Sequence, residues 1–278
     1  MLKILSAELR KIFLRGRTYI GFAAVAVIVL GVELAIWLEG SKMLNFVTND
    51  LQRYFFLDGR PINGFLTTYM VLNALWVHVP FLVALVTGDL LSGEAAAGTF
   101  RLILTRSAGR GKVALAKFLA GLVYVYLLIA LMAALSLGLG YVFFGSGDLI
   151  VLKKTINIIP PDDVLWRFAG AFAFGALSMT TVAALSFLFS TMADNSIGPI
   201  LGTVAVIIVC TIFSSLNFGF FKVLRPFLFT THMTGWRLFF DFEPSWEVVL
   251  RSACILLAHI LLFLGISLWR FKTKDILT

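Results

Sequence analysis

Six apolar runs, each close to the ~20 residues that an α-helix needs to cross a bilayer, constrain this chain more than any other feature. They extend from Thr18 to Leu38, Phe65 to Thr87, Val113 to Phe144, Trp166 to Ser190, Ile197 to Phe221 and Val248 to Trp269, bounded by charges and turn residues. The runs are apolar on every face. Barrel strands would instead alternate apolar and polar over roughly ten residues, so the spans are expected to be helices. Composition agrees: 60% of the 278 residues are hydrophobic and 14% charged, against roughly 45–50% apolar usage in soluble chains. A soluble enzyme or nucleic-acid binder is excluded. The expected fold class is an all-α integral membrane protein, one domain over residues 1–278, with an N-terminal amphipathic helix over 1–17. The third run exceeds the ~17–25 residues that a span requires, so its helix is expected to tilt or protrude. Cys210 and Cys254 fall inside apolar runs and read as packing residues without a disulfide or redox role. A basic segment precedes a first run of full spanning length, so the N terminus is expected to be retained rather than cleaved as a signal peptide.

Six spans place both termini on one side, and Lys and Arg choose the side. The N-terminal segment, the loop after span two and the C-terminal tail carry twelve Lys and Arg; the opposite loops carry eight. With acids included the two sides differ as +7 against −1. The termini are therefore expected to be cytoplasmic, and the overall +8 reflects topology rather than a nucleic-acid partner.

Before span one, Leu2, Leu5, Leu9, Ile12 and Phe13 recur at spacings of three and four, with Lys3, Ser6, Arg10 and Lys11 elsewhere on the wheel. This basic amphipathic helix suits a membrane interface, apolar face in the acyl boundary and cations near anionic headgroups, or equally a simple positive anchor. After span two, Glu94 opens a short helix-compatible stretch with Arg101 and Arg106 further along, the order that a helix dipole favours. Gly98 and Thr99 allow a bend, and Ser107-Ala108-Gly109-Arg110 reads as a turn before span three.

These residues resemble a known family. The pattern Glu94, Gly98-Thr99, Arg101, Leu102, Leu104-Thr105, Arg110 and Lys117 is similar to the loop after the second span of ABC-2 type transporter permeases. The resemblance extends to the N-terminal helix with Glu8-Leu9-Arg10-Lys11, the six spans, the short turn between spans four and five, and the tail from Phe271 to Ile276. Many relatives carry proline near position 107, where this chain has Ser107-Ala108. The resemblance implies an ABC-2, type V exporter-like fold whose permease subunit pairs with a second copy or a homologous permease. It implies two copies of a separate ATP-binding subunit, which would hold ATP and Mg; no cofactor or metal is expected on this chain. Leu91 to Ser107 would be the coupling helix that contacts the ATPase, through Leu91, Glu94, Gly98, Thr99, Arg101, Leu104, Arg106 and Arg110. The helix of residues 2 to 15, with Glu8, Arg10 and Lys11, would be the connecting helix. A bacterial plasma (inner) membrane location follows from the same resemblance.

Leu91-Ser92-Gly93-Glu94 and Gly111-Lys112 are superficially like nucleotide-site motifs. A phosphate loop needs G-x-x-x-x-G-K-[ST], but position 106 is Arg and position 113 is Val. ATP hydrolysis is therefore expected on another chain, and no catalytic residue is assigned here.

The segment from Asn217 to Glu247 is strongly aromatic, and Pro226 and Gly235 are expected to divide it into short pieces. In the resembling family this region lies near an outer gate, which would make Phe227, Phe229 and Trp236 gate residues. A short helix is expected around Leu51 to Phe56. Within the spans, Glu33 is the main ionisable residue and a candidate for a translocation path. Lys117, Arg167 and Arg251 stand near span ends and are expected to snorkel. His78, His232 and His259 lack the spacing of a metalloprotease. Two further readings remain open: a self-contained channel or secondary transporter, and an ABC-2-like subunit powering motility or assembly. The substrate class implied by export is an amphipathic lipid, peptide, drug or glycan.

Overall fold

A computed structural model describes residues 1–48, 62–99, 109–153, 156–216 and 218–273, with side chains placed to residue 40 in the first stretch. The chain is mostly helical. Five helices are long and apolar enough to cross a membrane, and six spans result if one bent pair is counted as one. The architecture is that of a helical membrane protein. The short helix expected at Leu51 to Phe56 lies outside the described residues.

Helix α1 (Leu2–Leu14) leads into α2 (Gly16–Thr48), the first span. The second span is α3 (Gly64–Leu75) followed by α4 (Val79–Thr87), which meet at 54°. Pro80 explains the bend: in the first turn of α4 it has no N–H to give, and its ring excludes a continuous helix through Trp76-Val77-His78. Then come α5 (Asp89–Ala96), α6 (Arg110–Phe144), strands β1 (Leu149–Leu152) and β2 (Ile156–Ile159), and α7 (Pro161–Met192). Span five is α8 (Ile197–Ser215); α9 (Gly219–Leu224), a 3-10 turn, α10 (Phe229–Met233) and a second 3-10 stretch lead to α11 (Trp246–Thr273).

Three features differ from the sequence expectation. Span five stops at Ser215 rather than Phe221: Leu216 turns to extended backbone, and Gly219, with a positive φ of 52°, opens the next short helix. The fold is not purely helical: β1 and β2 form an antiparallel hairpin pairing Leu149 with Ile159 and Leu152 with Ile156. Its aliphatic residues alternate, Leu149, Val151 and Ile159 buried, Leu152, Ile156 and Ile158 exposed. The apolar face of α1, expected in the acyl boundary or as part of a simple positive anchor, packs on the bundle through Leu5, Leu9, Ile12 and Phe13. Pro226 and Gly235 do lie among short pieces, as expected, but Gly235 serves packing: a Cβ there would sit 2.6 Å from the Phe174 ring.

Helix α7 is the hub of the core, packed against α4, α5, α6, α8 and α11. It keeps hydroxyl groups inside because they bond their own helix, Ser178 to the Phe174 carbonyl at 3.0 Å and Thr180 to that of Ala176 at 2.8 Å. Helix α6 has 35 residues and at 1.5 Å per residue is roughly 52 Å long, well beyond a ~30 Å hydrocarbon layer. Its first turns therefore reach past the apolar zone, beside α1, α5 and the end of α11, where Arg110 Nη1 donates to the Lys272 carbonyl at 3.5 Å. Both ends of the described chain thus meet at one end of the bundle.

Candidate functional site

Where α1, α5 and α6 meet, four charged side chains form a junction. Lys117 of α6 is 2% exposed. Its Nζ donates to Glu8 Oε2 at 2.7 Å and contacts Glu94 Oε1 at 2.6 Å. Lys11 Nζ reaches Glu8 Oε1 and Glu94 Oε1, each at 2.9 Å. Two ammonium groups thus neutralise two carboxylates, which is how buried charge becomes tolerable. Glu94 Oε2 has no hydrogen-bond partner among the described residues. Burial alone would raise the Glu8 carboxyl, but the charge and hydrogen bond of Lys117, joined by those of Lys11, bring it below its ordinary 4.5. Burial alone would lower Lys11, yet its hydrogen bonds to Glu8 and Glu94 hold it above 10.5.

A second tie lies one turn away. The Asp89 carboxylate accepts from Arg15 Nη1 at 2.5 Å, pairs with Arg17 Nη1 at 2.8 Å, and accepts from the Ser196 hydroxyl. It lies over Gly93, where a Cβ would come within 2.4 Å of Asp89 Oδ1, so only glycine fits. Helix α5 is also fixed from α7: Ser190 Oγ accepts from the Leu91 and Ser92 amides at 3.0 and 2.9 Å, satisfying donors that the first helical turn leaves free. At the other end, Gly98 has φ +65°, its amide donates to the Ala95 carbonyl, and the Thr99 amide reaches the Glu94 carbonyl. This is a Schellman termination. Of the expected coupling segment Leu91 to Ser107, the described part belongs to an eight-residue helix that starts earlier, at Asp89, and closes at Gly98-Thr99, while residues 100–107 lie outside the described residues.

The site residues read from sequence are partly brought together. Glu8, Lys11 and Glu94 meet at the junction, Leu91 is buried beside them on α5, and Gly98 and Thr99 shape the turn. Arg10 is exposed, and Arg110 lies at the start of α6 toward Lys272. Arg101, Leu104 and Arg106 lie outside the described residues. Asp89 and Lys117, the two residues that complete the ionic ties, were not singled out as site residues; Lys117 was expected to snorkel. It does not, because its head group turns inward to two carboxylates. Arg167 also departs from that expectation: it is buried, with Nε on Asp163 at 2.8 Å and Nη1 on the carbonyls of Phe239 and Asp241 at 2.9 and 2.5 Å. Arg251 is exposed.

At the far end, Phe227 is exposed while Phe229 and Trp236 are buried. Trp236 sits among Tyr69, Trp76 and Phe240, and its Nε1 has no partner among the described residues. Glu33 is fully buried, away from the junction. The histidines are dispersed: His232 bonds Ser252 and the Pro226 carbonyl, and His78 and His259 each bond a carbonyl four residues back. Among the described residues no cluster of three or more His, Cys, Asp or Glu could hold a metal.

Residues 24–277 match a family described as a protein of unknown function, DUF2705. This chain belongs to the DUF2705 family. No curated protein matches it. The DUF2705 match begins inside α2, so Asp89, Glu94 and Lys117 fall within it, whereas Glu8, Lys11, Arg15 and Arg17 precede it. The ionic ties therefore join the DUF2705 region to a helix that lies before it.

Proposed function

We propose that the chain is the permease subunit of an ATP-binding cassette exporter of the ABC-2 type, working as a pair with a second permease and two ATP-binding subunits. The observation that carries this reading is the attachment of α5 to both α1 and α6 by Glu94, Glu8, Lys11 and Lys117. A short helix tied rigidly to a span and exposed at its C-terminal end is what a lever needs: force applied to the end of α5 by a nucleotide-driven partner passes through the buried ion pairs to α6, and through Ser190 to α7. A free loop would dissipate it. In this reading the junction end is cytoplasmic, consistent with its excess of Lys and Arg, and the membrane is a bacterial plasma membrane. ATP and Mg reside on the partner; the chain itself moves an amphipathic lipid, peptide, drug or glycan outward.

The test is purification of the tagged chain from its native membrane in mild detergent, with mass spectrometry of what accompanies it. A stoichiometric ATP-binding protein is expected. In the combined Glu94→Ala and Arg101→Ala variant that association is expected to fall while the helical bundle persists by circular dichroism. Association equal to the native chain's would remove α5 from the coupling role, and no ATP-binding protein under any detergent would overturn the reading.

A further inference from the structure

The aromatic segment before α11 does not simply cap the bundle; it climbs out of it along α7. The Met233 carbonyl lies 3.3 Å from Ser178 Oγ, which is seventeen positions past Pro161 and so roughly 26 Å along that helix. The carbonyls of Phe239 and Asp241 accept from Arg167 Nη1, only six positions past Pro161 and so roughly 9 Å along it. Arg237 belongs to the 3-10 stretch between these two levels. Its Nη2 donates to Asn73 Oδ1 at 3.0 Å, and Asn73 stands ten positions past the cap residue Asn63, roughly 15 Å down α3. Both measures hold Arg237 below the far end of the bundle, at a depth where a cation turned toward hydrocarbon is costly.

A cavity of about 560 Å³ opens beside it, lined by Tyr69 and Asn73 of α3, by Leu152 and Lys153 at the hairpin, and by Leu238 and Asp241. That is room for a small molecule or a lipid head. The charges around it do not cancel. Lys153 Nζ pairs with Asp241 Oδ1 at 2.5 Å and donates to the Arg237 carbonyl at 2.8 Å, so the one carboxylate in the lining is engaged by the lysine. Arg237 has no carboxylate partner among the described residues. Of its five N–H donors, the one on Asn73, a neutral amide, is the one bonded there. That bond and the Trp236 ring, 5.4 Å from Cζ to centroid, hold the guanidinium in place. Two cations against one carboxylate leave a single positive charge facing the cavity.

We propose that this cavity binds a singly charged phosphate oxyanion, with Arg237 as its anchor. A guanidinium offers two parallel N–H groups to two oxygens of a phosphate. Because Arg237 and Lys153 approach from different elements, a tetrahedral group with oxygens in several directions suits them better than a planar carboxylate. The same chemistry is carried by the phosphodiester head of an anionic phospholipid and by free phosphate. The site does not depend on the export reading.

The experiment titrates the purified, delipidated full-length chain in detergent with short-chain phosphatidylglycerol, with phosphatidylcholine of the same chain length, and with inorganic phosphate against chloride at matched ionic strength. Bound lipid is counted by native mass spectrometry and the thermal midpoint is read throughout. Phosphatidylglycerol is expected to bind and to raise the midpoint beyond the effect of phosphatidylcholine, which is neutral overall. Stabilisation by phosphatidylglycerol but not by inorganic phosphate names the lipid head; stabilisation by inorganic phosphate names the free anion; each supports the site. Arg237→Gln is expected to weaken that binding about tenfold or more, the loss of a hydrogen bond from a charged donor. No effect of phosphatidylglycerol beyond phosphatidylcholine together with none of phosphate, or native affinity in Arg237→Gln, overturns the site. Should Arg237→Gln not fold, Lys153→Gln carries the comparison: this residue is exposed, its loss removes the excess charge, weaker binding is expected, and unchanged binding overturns the site as well.

Discussion

Lys117 and Glu33 pose the same physical problem at opposite parts of the bundle and meet it differently. Each is an ionisable side chain removed from water among apolar helices. Lys117 has two carboxylates within 2.7 Å, supplied by α1 and α5, while Glu33 has no cation beside it among the described residues, only the Thr67 hydroxyl. A compensated charge fixes geometry, since any movement of α1 or α5 leaves an ion stranded. An uncompensated one imposes no such constraint. The first ties three helices to one another and the second ties none, and burial alone would not have separated them.

The largest expected effect comes from breaking the compensated side. Lys117→Met leaves Glu8 and Glu94 with only the half-exposed Lys11, and unpairing a buried carboxylate costs about 3–5 kcal/mol. Denaturant unfolding in detergent, read by circular dichroism, checks it. A loss below about 1 kcal/mol, the size typical of surface pairs, would mean that Lys117 is not enclosed as described. Adding Glu8→Gln and Glu94→Gln to that variant removes the stranded charges as well, and most of the loss is expected to return. The triple variant thus separates the cost of a broken pair from the value of the junction itself.

A smaller effect is expected on the Glu33 side. Gly140→Ala places a Cβ against the Gly64 carbonyl, 2.7 Å away, where the clashing atoms are backbone and cannot swing aside. Overpacking of this kind costs about 1–3 kcal/mol. The same unfolding measurement reads it, and an unchanged midpoint would show that α3 and α6 do not approach this closely.

How far these two places could be read in advance differs for a physical reason. The spans were legible because length and hydropathy are local, and Glu33 stood out as one acid inside an apolar run. The turn at Gly98-Thr99 was legible too, since glycine before a polar residue closes helices. Lys117 was not: 109 positions separate it from Glu8, and near a span end snorkelling and pairing look alike until packing decides. Asp89 was not legible either, because Arg15, Arg17 and Ser196 reach it only in the fold. The hairpin β1–β2 hid in a short Val/Ile run between Gly147 and Pro160, too brief to carry a clear period. Sequence thus displays the elements, and long-range charge pairing emerges only from their packing.

The junction also has a pH signature. Glu8 lies below 4.5 in the folded chain, so its contribution is present above 4.5 and is lost as pH falls through the lowered value. Lys11 lies above 10.5, so its contribution is present below 10.5 and is lost as pH rises through the raised value. The part of stability that depends on these two groups is therefore expected to be flat between about pH 4.5 and 10.5. Comparing the native chain with Glu8→Gln across pH isolates the acid limb; equal acid sensitivity in both would remove Glu8 from the paired state.

The smallest effect is expected at Lys11 itself. Its side chain is 43% exposed, so water and salt screen its two contacts, and Lys11→Ala should cost no more than about 1 kcal/mol. The reason lies inside the junction: with Lys11 gone, Lys117 still touches both carboxylates, and neither is left without a cation. Added salt should weaken the native chain toward this variant but leave the Lys117→Met deficit largely intact, because screening acts on exposed pairs far more than on buried ones. Equal losses for Lys11→Ala and Lys117→Met would mean that the two lysines share the carboxylates evenly, and the compensated site would then be a solvated charge cluster rather than a buried clamp.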